Sequence, residues 1–369
     1  MSSPRPGPAG RPRGRTEYRY ILGATPPRAS EGPTGIASYI ARRALLLIPV
    51  VFGVTLITFI LSFVTVPDPV RAWTGPRATA GAIAALTARY HLKAPIYEQY
   101  YYYMVNIFTG NWGIVPSSGR PVLYDIEHFF PATLELALSA ILIAIVIGIP
   151  LGVVAAMYQG KPVDHAIRLF YLAGYSSPPF FVALGVILVF GYILKVLPTS
   201  GQLTQGLSFN ANITGMVVVD SLLKGNLPIF LNALDHLILP AATLSLIYFG
   251  IVTRVTRASV LEAFQKDFIR ASYAKGLRRR TVILRHALRN ALIPTVTVLG
   301  LLLAGLFGGS VVVETIFQWP GIGLYAYQSI QNFDFPSVMG VALILTIGVV
   351  LANLIADVLY AVLDPRIKV

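Results

Sequence analysis

The chain has 369 residues, of which 55% are hydrophobic and only 12% charged, and it carries a formal net charge of +13. Its charges cluster between long apolar runs, which excludes a soluble globular domain and describes a polytopic membrane protein. The absence of cysteine also excludes a disulfide framework and a zinc-thiolate site.

Residues 1–35 are rich in Pro, Gly and Arg, as in SSPRPGPAGRPRGR, and predict a disordered tail. Ala44 to Val66 then runs for 23 residues without a charge. At about 1.5 Å per residue this is long enough to cross a hydrocarbon core of roughly 30 Å. The run begins too late and is too long for the core of a cleavable signal peptide. Residues 67–131 form an expected extracytoplasmic segment. Within it, Thr79 to Tyr90 reads as a short helix, and Ile96 to Phe108 carries the run Tyr100 to Tyr103, followed by Trp112. Tyrosine and tryptophan favour the headgroup region, so this part predicts an interfacial helix.

Five further spans are expected near 133–158, 169–194, 237–252, 291–313 and 338–362, giving six crossings with both ends on one side. The run at 237–252 is the shortest and must borrow turns from its flanks. Prolines fall within or beside the runs at Pro49, Pro150, Pro178, Pro179, Pro240 and Pro294. Each proline beyond a first helical turn removes a backbone donor and kinks its helix, which suits the wall of a pathway. Lys and Arg set the orientation: 22 fall on the side of the two termini and 7 on the other, so both termini are expected in the cytoplasm. This asymmetry and attraction to anionic lipid account for the positive charge without nucleic acid as a partner.

The most basic stretch is the loop 254–290, with ten Lys or Arg residues between Arg254 and Arg289. Within it Leu261, Phe264, Phe268 and Ile269 recur at helical spacing, and Glu262 and Lys266 are four apart in the favourable order. Gly276 offers a helix stop. Acidic residues in or at the ends of the runs are few: Glu135, Glu314 and Asp357. They stand near different ends of the spans with no basic partner inside a span, which disfavours a proton relay; Glu135 and Asp357 predict polar packing or capping ahead of substrate contact, and Glu314 is a candidate pathway or packing residue. The five histidines lack metal-ligand spacing, and no GxxxxGK[ST] occurs, so the chain binds neither a metal nor nucleotide phosphates by these means.

Several separated segments resemble the permease subunits of ATP-binding-cassette importers of the dipeptide and oligopeptide family. They are DPVRAW, SGRPV, PATLELAL, LPTSGQ, HLILPAATLSL, DFIRASYAKGL, RHALRNALIPTVTVLGL, VVVETIFQWPGIG and LYAVLDPRI, in family order from Ala41 onward. The resemblance implies an all-α permease of six transmembrane helices with an amphipathic cytoplasmic coupling segment between spans four and five. That segment, of the EAA type, comprises Arg270, Ala271, Ser272, Ala274, Lys275, Gly276 and Leu277. It departs from the general pattern in having Arg270 where Glu is usual and Ser272 where a second Ala is usual. The resemblance further implies a second, homologous permease, as a heterodimer, two cytoplasmic ATP-binding subunits and an extracytoplasmic binding protein. The partner subunits would use ATP and Mg, while this chain binds no cofactor and is not an enzyme. Peptide is the expected cargo, with oligosaccharide or nickel as alternatives. A secondary transporter would need a mid-membrane carboxylate cluster or a filter loop, and neither is visible. A membrane scaffold would leave the kinked spans unexplained.

Overall fold

A computed structural model describes residues 36–61, 79–89, 91–115 and 118–363. The expectations for residues 1–35 and for the end of the first span, 62–66, lie outside the described residues, as does part of the following segment. Twelve α-helices of seven residues or more organise the described residues, with one further short turn at Arg279–Thr281: α1 (Ile36–Phe59), α2 (Ala80–Arg89), α3 (Ile96–Phe108), α4 (Val122–Met157), α5 (Pro162–Ser176), α6 (Pro179–Val186), α7 (Val217–Leu223), α8 (Leu227–Phe264), α9 (Asp267–Ala274), α10 (Leu288–Ile316), α11 (Ile322–Gln331) and α12 (Phe335–Leu363). Two π-helical turns, Ile187–Ile193 and Val282–Ala287, follow α6 and precede α10.

Among the described residues, four helices are long and apolar enough to cross a membrane, and a fifth crossing arises if the bent pair α5 and α6 counts as one. The expected span at 169–194 is more than kinked at its prolines: it is broken, because α5 and the helix from Pro179 to Ile193 meet at 108°. Tandem prolines explain the break. Neither Pro178 nor Pro179 has an N–H to continue the helix, and Ser177 before them is extended, with φ −83° and ψ 133°. The short fourth run instead lies within one helix of 38 residues, α8, which is about 57 Å long at the usual rise per residue.

The centre is α4 packed along α8. On α4 the buried residues Leu136, Ala140, Ala144, Gly148 and Gly152 recur every four positions, which places them on one stripe of the helix. The opposite face, including Leu142 and Val146, is exposed. With little hydrophobic drive between helices in lipid, small residues that admit close backbone contact favour association. A methyl group on Gly148 would stand 3.0 Å from Val252 Cγ1, and one on Gly152 would stand 2.7 Å from Thr256 Cβ and 2.8 Å from the Thr253 carbonyl oxygen. Gly152→Ala is therefore expected to push α4 from α8 and lower stability by about 1–3 kcal/mol. The melting temperature of the purified chain in detergent checks this, and an unchanged value would mean the seam can slide.

Around this pair, α10 and α12 pack together, α1 lies against α12, and α5 lies along α8. The tyrosine run of α3 does not act as one patch. Successive helical residues turn by about 100°, so positions three apart share a face. Tyr100 and Tyr103 accordingly turn toward α1, with Phe52 5.6 Å from the Tyr100 ring and Phe59 stacked 5.8 Å from Tyr103. Tyr101 and Tyr102 remain exposed, with Tyr102 stacked 3.9 Å from His91.

Candidate functional site

Two regions carry the polar chemistry, one at each end of the bundle. At the first, two of the three acidic residues flagged in the sequence, Glu314 and Glu135, are helix caps. Glu314, in the last turn of α10, is fully buried. Its Oε2 accepts from the backbone N–H groups of Gly323 (2.6 Å) and Leu324 (3.1 Å) in the first turn of α11, and its Oε1 accepts from Thr133 Oγ1 at 2.9 Å. The Ile322 amide in turn donates to Thr133 Oγ1 at 2.7 Å. The first N–H groups of a helix lack intrahelical acceptors and carry its positive dipole end, so a carboxylate satisfies both needs. Trp319, also buried, donates its indole N–H to the Ala132 carbonyl at 2.9 Å.

Glu135 plays the same part for α7. Its Oε1 accepts from the Val218 amide at 2.7 Å, and Gln202 Nε2 reaches its other oxygen at 3.4 Å. One stretch of α4, from Ala132 to Glu135, therefore holds α11 and α7 together. The loop before α7 is tied back by Asp220, which accepts from the amides of Ile213 and Thr214 and from the Thr214 hydroxyl. Burial raises the Asp220 pKa, but the bonds from Thr214 and its neighbours outweigh it and hold the carboxyl below its ordinary value. Nearby, the Tyr325 hydroxyl lies 2.7 Å from Ser337 Oγ and 3.3 Å from Asp125 Oδ2, while Arg120 pairs with Asp125 at 3.0 Å. Asp334, which accepts from Ser337, is raised above its ordinary value by burial, with those bonds opposing the rise. Asp357 does not join these caps. It sits half-buried toward the far end of α12.

The opposite end carries α9 and the basic loop. The Glu262 and Lys266 side chains pair at 2.8 Å across the last turn of α8, as their spacing predicts. Lys266 is extended and starts α9, which spans Asp267–Ala274, three residues earlier than the expected segment. The helix ends as a Schellman motif: the Gly276 amide donates to the Tyr273 carbonyl (2.9 Å) and the Leu277 amide to the Ser272 carbonyl (3.4 Å). This turn needs a left-handed residue, and Gly276 has φ +73°.

One face of α9 is anchored. Ile269 is buried among Val153 and Ala156 of α4, Val260 and Ala263 of α8, and Val282, Ile283 and Ala287 of the following turn. Ser272, three residues on, is buried on the same side and donates to the Phe268 carbonyl at 2.7 Å. It thus belongs to the anchor, which the motif comparison alone did not reveal. Arg270, Ala271, Ala274, Lys275, Gly276 and Leu277 are exposed, with Tyr273 beside them. The result is a fixed helix offering a surface of small, basic and aromatic groups. The sequence also gave no sign of an ion pair near this end, between Asp164 of α5 and Arg257 of α8, with Arg257 Nε 2.7 Å from Asp164 Oδ1. Its partners are 93 residues apart.

Comparison with known proteins bears on both ends. Residues 148–369 match the family described as binding-protein-dependent transport system inner membrane component, and residues 36–137 match the N-terminal family of the same systems. A probable D,D-dipeptide transport system permease protein of Escherichia coli (strain K12) is 44% identical over 330 residues, covering 89% of this chain and 97% of that protein. A di/tripeptide transport system permease protein of Pseudomonas aeruginosa (strain UCBPP-PA14) is 41% identical, covering 90% and 98%. An oligopeptide transport system permease protein of Bacillus subtilis (strain 168) is 34% identical, covering 90% and 100%. Matches of this extent, on an all-helical chain whose α9 and capped end helices fall inside them, make the chain a member of the binding-protein-dependent transport system inner membrane component family.

Proposed function

We propose that this chain is one permease subunit of an ATP-driven peptide importer. Membership in a transport family supports the permease role, and three relatives named as peptide permeases support peptide as the cargo. On this reading a second, homologous permease completes the pathway, two ATP-binding subunits dock from the cytoplasm, and a binding protein delivers the peptide from outside. ATP and Mg belong to the docked subunits.

The observation that carries the mechanism is α9. A coupling element must transmit a push, so it needs a rigid attachment to the spans and a free face for its partner. Ile269 and Ser272 supply the attachment. The free face is that of Ala271, Ala274 and Gly276, small enough for close approach, flanked by Arg270 and Lys275, which suit acidic or carbonyl acceptors. Closure of the ATP-binding subunits would draw α9 toward its counterpart and open the pathway outward, and hydrolysis would reset it.

Six crossings follow if α1 and the bent α5–α6 pair each span once. Reporter fusions after Gly201 and after Gln331 are then expected to report the outside, and one after Lys275 the inside. Reversal at any of the three sinks this topology.

The function is tested by gentle purification of the tagged chain from native membranes. A second permease and nucleotide-binding subunits are expected in stable proportion, with ATP-dependent uptake of a radiolabelled dipeptide after reconstitution. Isolation of the chain alone, with uptake indifferent to ATP, would favour a stand-alone transporter.

A further inference from the structure

Two residues into α5, Asp164 is almost completely buried. It is held by a two-pronged ion pair: Arg257 Nε donates to Oδ1 at 2.7 Å and Arg257 Nη2 to Oδ2 at 2.8 Å, while the Gly160 amide adds a bond to Oδ2 at 3.0 Å. A planar guanidinium on both oxygens of a carboxylate fixes orientation as well as distance. A buried pair of this kind contributes little net stability, since desolvation offsets most of the attraction. What it supplies is a defined arrangement of the two helices that carry it.

The position of Arg257 shows which arrangement that is. On α8 it follows Thr256, whose hydroxyl lies 3.1 Å from that of Thr295 on α10 and whose Cβ is closely faced by Gly152 of α4. Within the next two turns come Val260 and Ala263, which receive Ile269 of α9. This stretch of α8 is therefore joined to α4, α9 and α10 by packing. α8 also meets α5 by packing, with the Phe170 and Phe249 rings 5.3 Å apart. A methyl on Gly250 would stand 3.0 Å from the Tyr171 carbonyl oxygen, and one on Gly174 would stand 3.2 Å from that of Leu246. Such contacts set the separation of the two helices. The ion pair adds a charged, directional contact between them, and it lies at the start of the segment bent by 108° at its proline break.

We infer that Asp164 and Arg257 are positioning residues that clamp α5 to α8, so that a displacement received at α9 moves the bent α5–α6 segment together with the rest of the bundle. Neither residue touches cargo. The inference rests on the reading of α9 as the coupling surface.

Because this chain contains no cysteine, two introduced here are its only thiols, and bis-maleimide treatment of the parent complex controls for thiols on the partner subunits. The test uses the full complex, purified through a tag on this chain and reconstituted, with Asp164→Cys and Arg257→Cys combined. ATP hydrolysis is expected to stay near the parent rate while radiolabelled dipeptide imported per ATP falls at least tenfold. Bridging the two thiols with a short bis-maleimide is expected to recover at least half of the lost ratio. A merely structural pair would lower abundance and both activities together and leave the ratio unchanged. An unchanged ratio in the double variant, or a bridged complex no better than the unbridged one, overturns the proposal. Should the double variant fail to assemble, Arg257→Lys keeps the charge and removes the fork; the ratio must fall there too, and a parent ratio overturns the clamp. Failure of the underlying importer reading shows separately, as a parent complex without ATP-dependent uptake.

Discussion

Glu314→Ala is expected to destabilise the purified chain by on the order of 4 kcal/mol, because three buried donors lose their acceptor at once and each such loss costs about 1–3 kcal/mol. The donors are the amides of Gly323 and Leu324 and the hydroxyl of Thr133. The cap is closely packed: a methyl on Gly321 would stand 2.5 Å from Thr133 Oγ1. Glu314→Gln keeps the shape and one acceptor oxygen, so roughly half of the loss is expected, since hydrogen bonds to a charged partner are about twice as strong as neutral ones. Melting in detergent and protease cleavage between α10 and α11 measure the effect. An alanine variant that melts with the parent would show that α11 stands without its cap.

Gly276→Val is expected to leave membrane insertion and ATP hydrolysis in place while peptide uptake falls at least tenfold. The reason is conformational. Nothing lies within 4 Å of where a side chain would begin, so space is not limiting. At φ +73°, however, an ordinary L-residue is disfavoured by about 1–2 kcal/mol, and a β-branched one by more. The Schellman turn would open, and with it the edge of the surface that α9 presents. Asparagine tolerates this conformation, so Gly276→Asn is expected to retain most of the uptake. Normal uptake by the valine variant removes Gly276 from coupling. Equal loss in both variants means the partner needs the bare backbone of glycine more than its turn.

What the sequence made legible is what local spacing encodes. Of the apolar residues at helical spacing, Ile269 is buried and Leu261 and Phe264 pack partly against it, while Phe268 is exposed; Glu262 and Lys266 announce their pairing, and Gly276 announces a stop. The proline pair at 178 and 179 marked a kink, though its size, enough to make two helices of one expected span, depends on how both halves pack. The carboxylates show the limit most clearly. Glu314 could be read only as an acid near the end of an apolar run, since one of its partners, Thr133, is 181 residues away. Arg257 was hidden for another reason. In a loop with ten basic residues its charge is fully accounted for by membrane orientation, and only the folded chain shows that it faces Asp164.

The double use of α4 limits how this protein could suit a different membrane. Ala132 to Glu135 must face α7 and α11, while Gly148 and Gly152 must face α8. Each residue inserted between them would turn one set against the other by about 100° for a gain of about 1.5 Å. The angular match returns only after about seven residues, two full turns, which lengthen the helix by roughly 10 Å, a third of a hydrocarbon core. Lineages that moved to a slightly thicker bilayer could not lengthen this helix residue by residue, and the adjustment must fall on tilt or on the polar ends of the other spans.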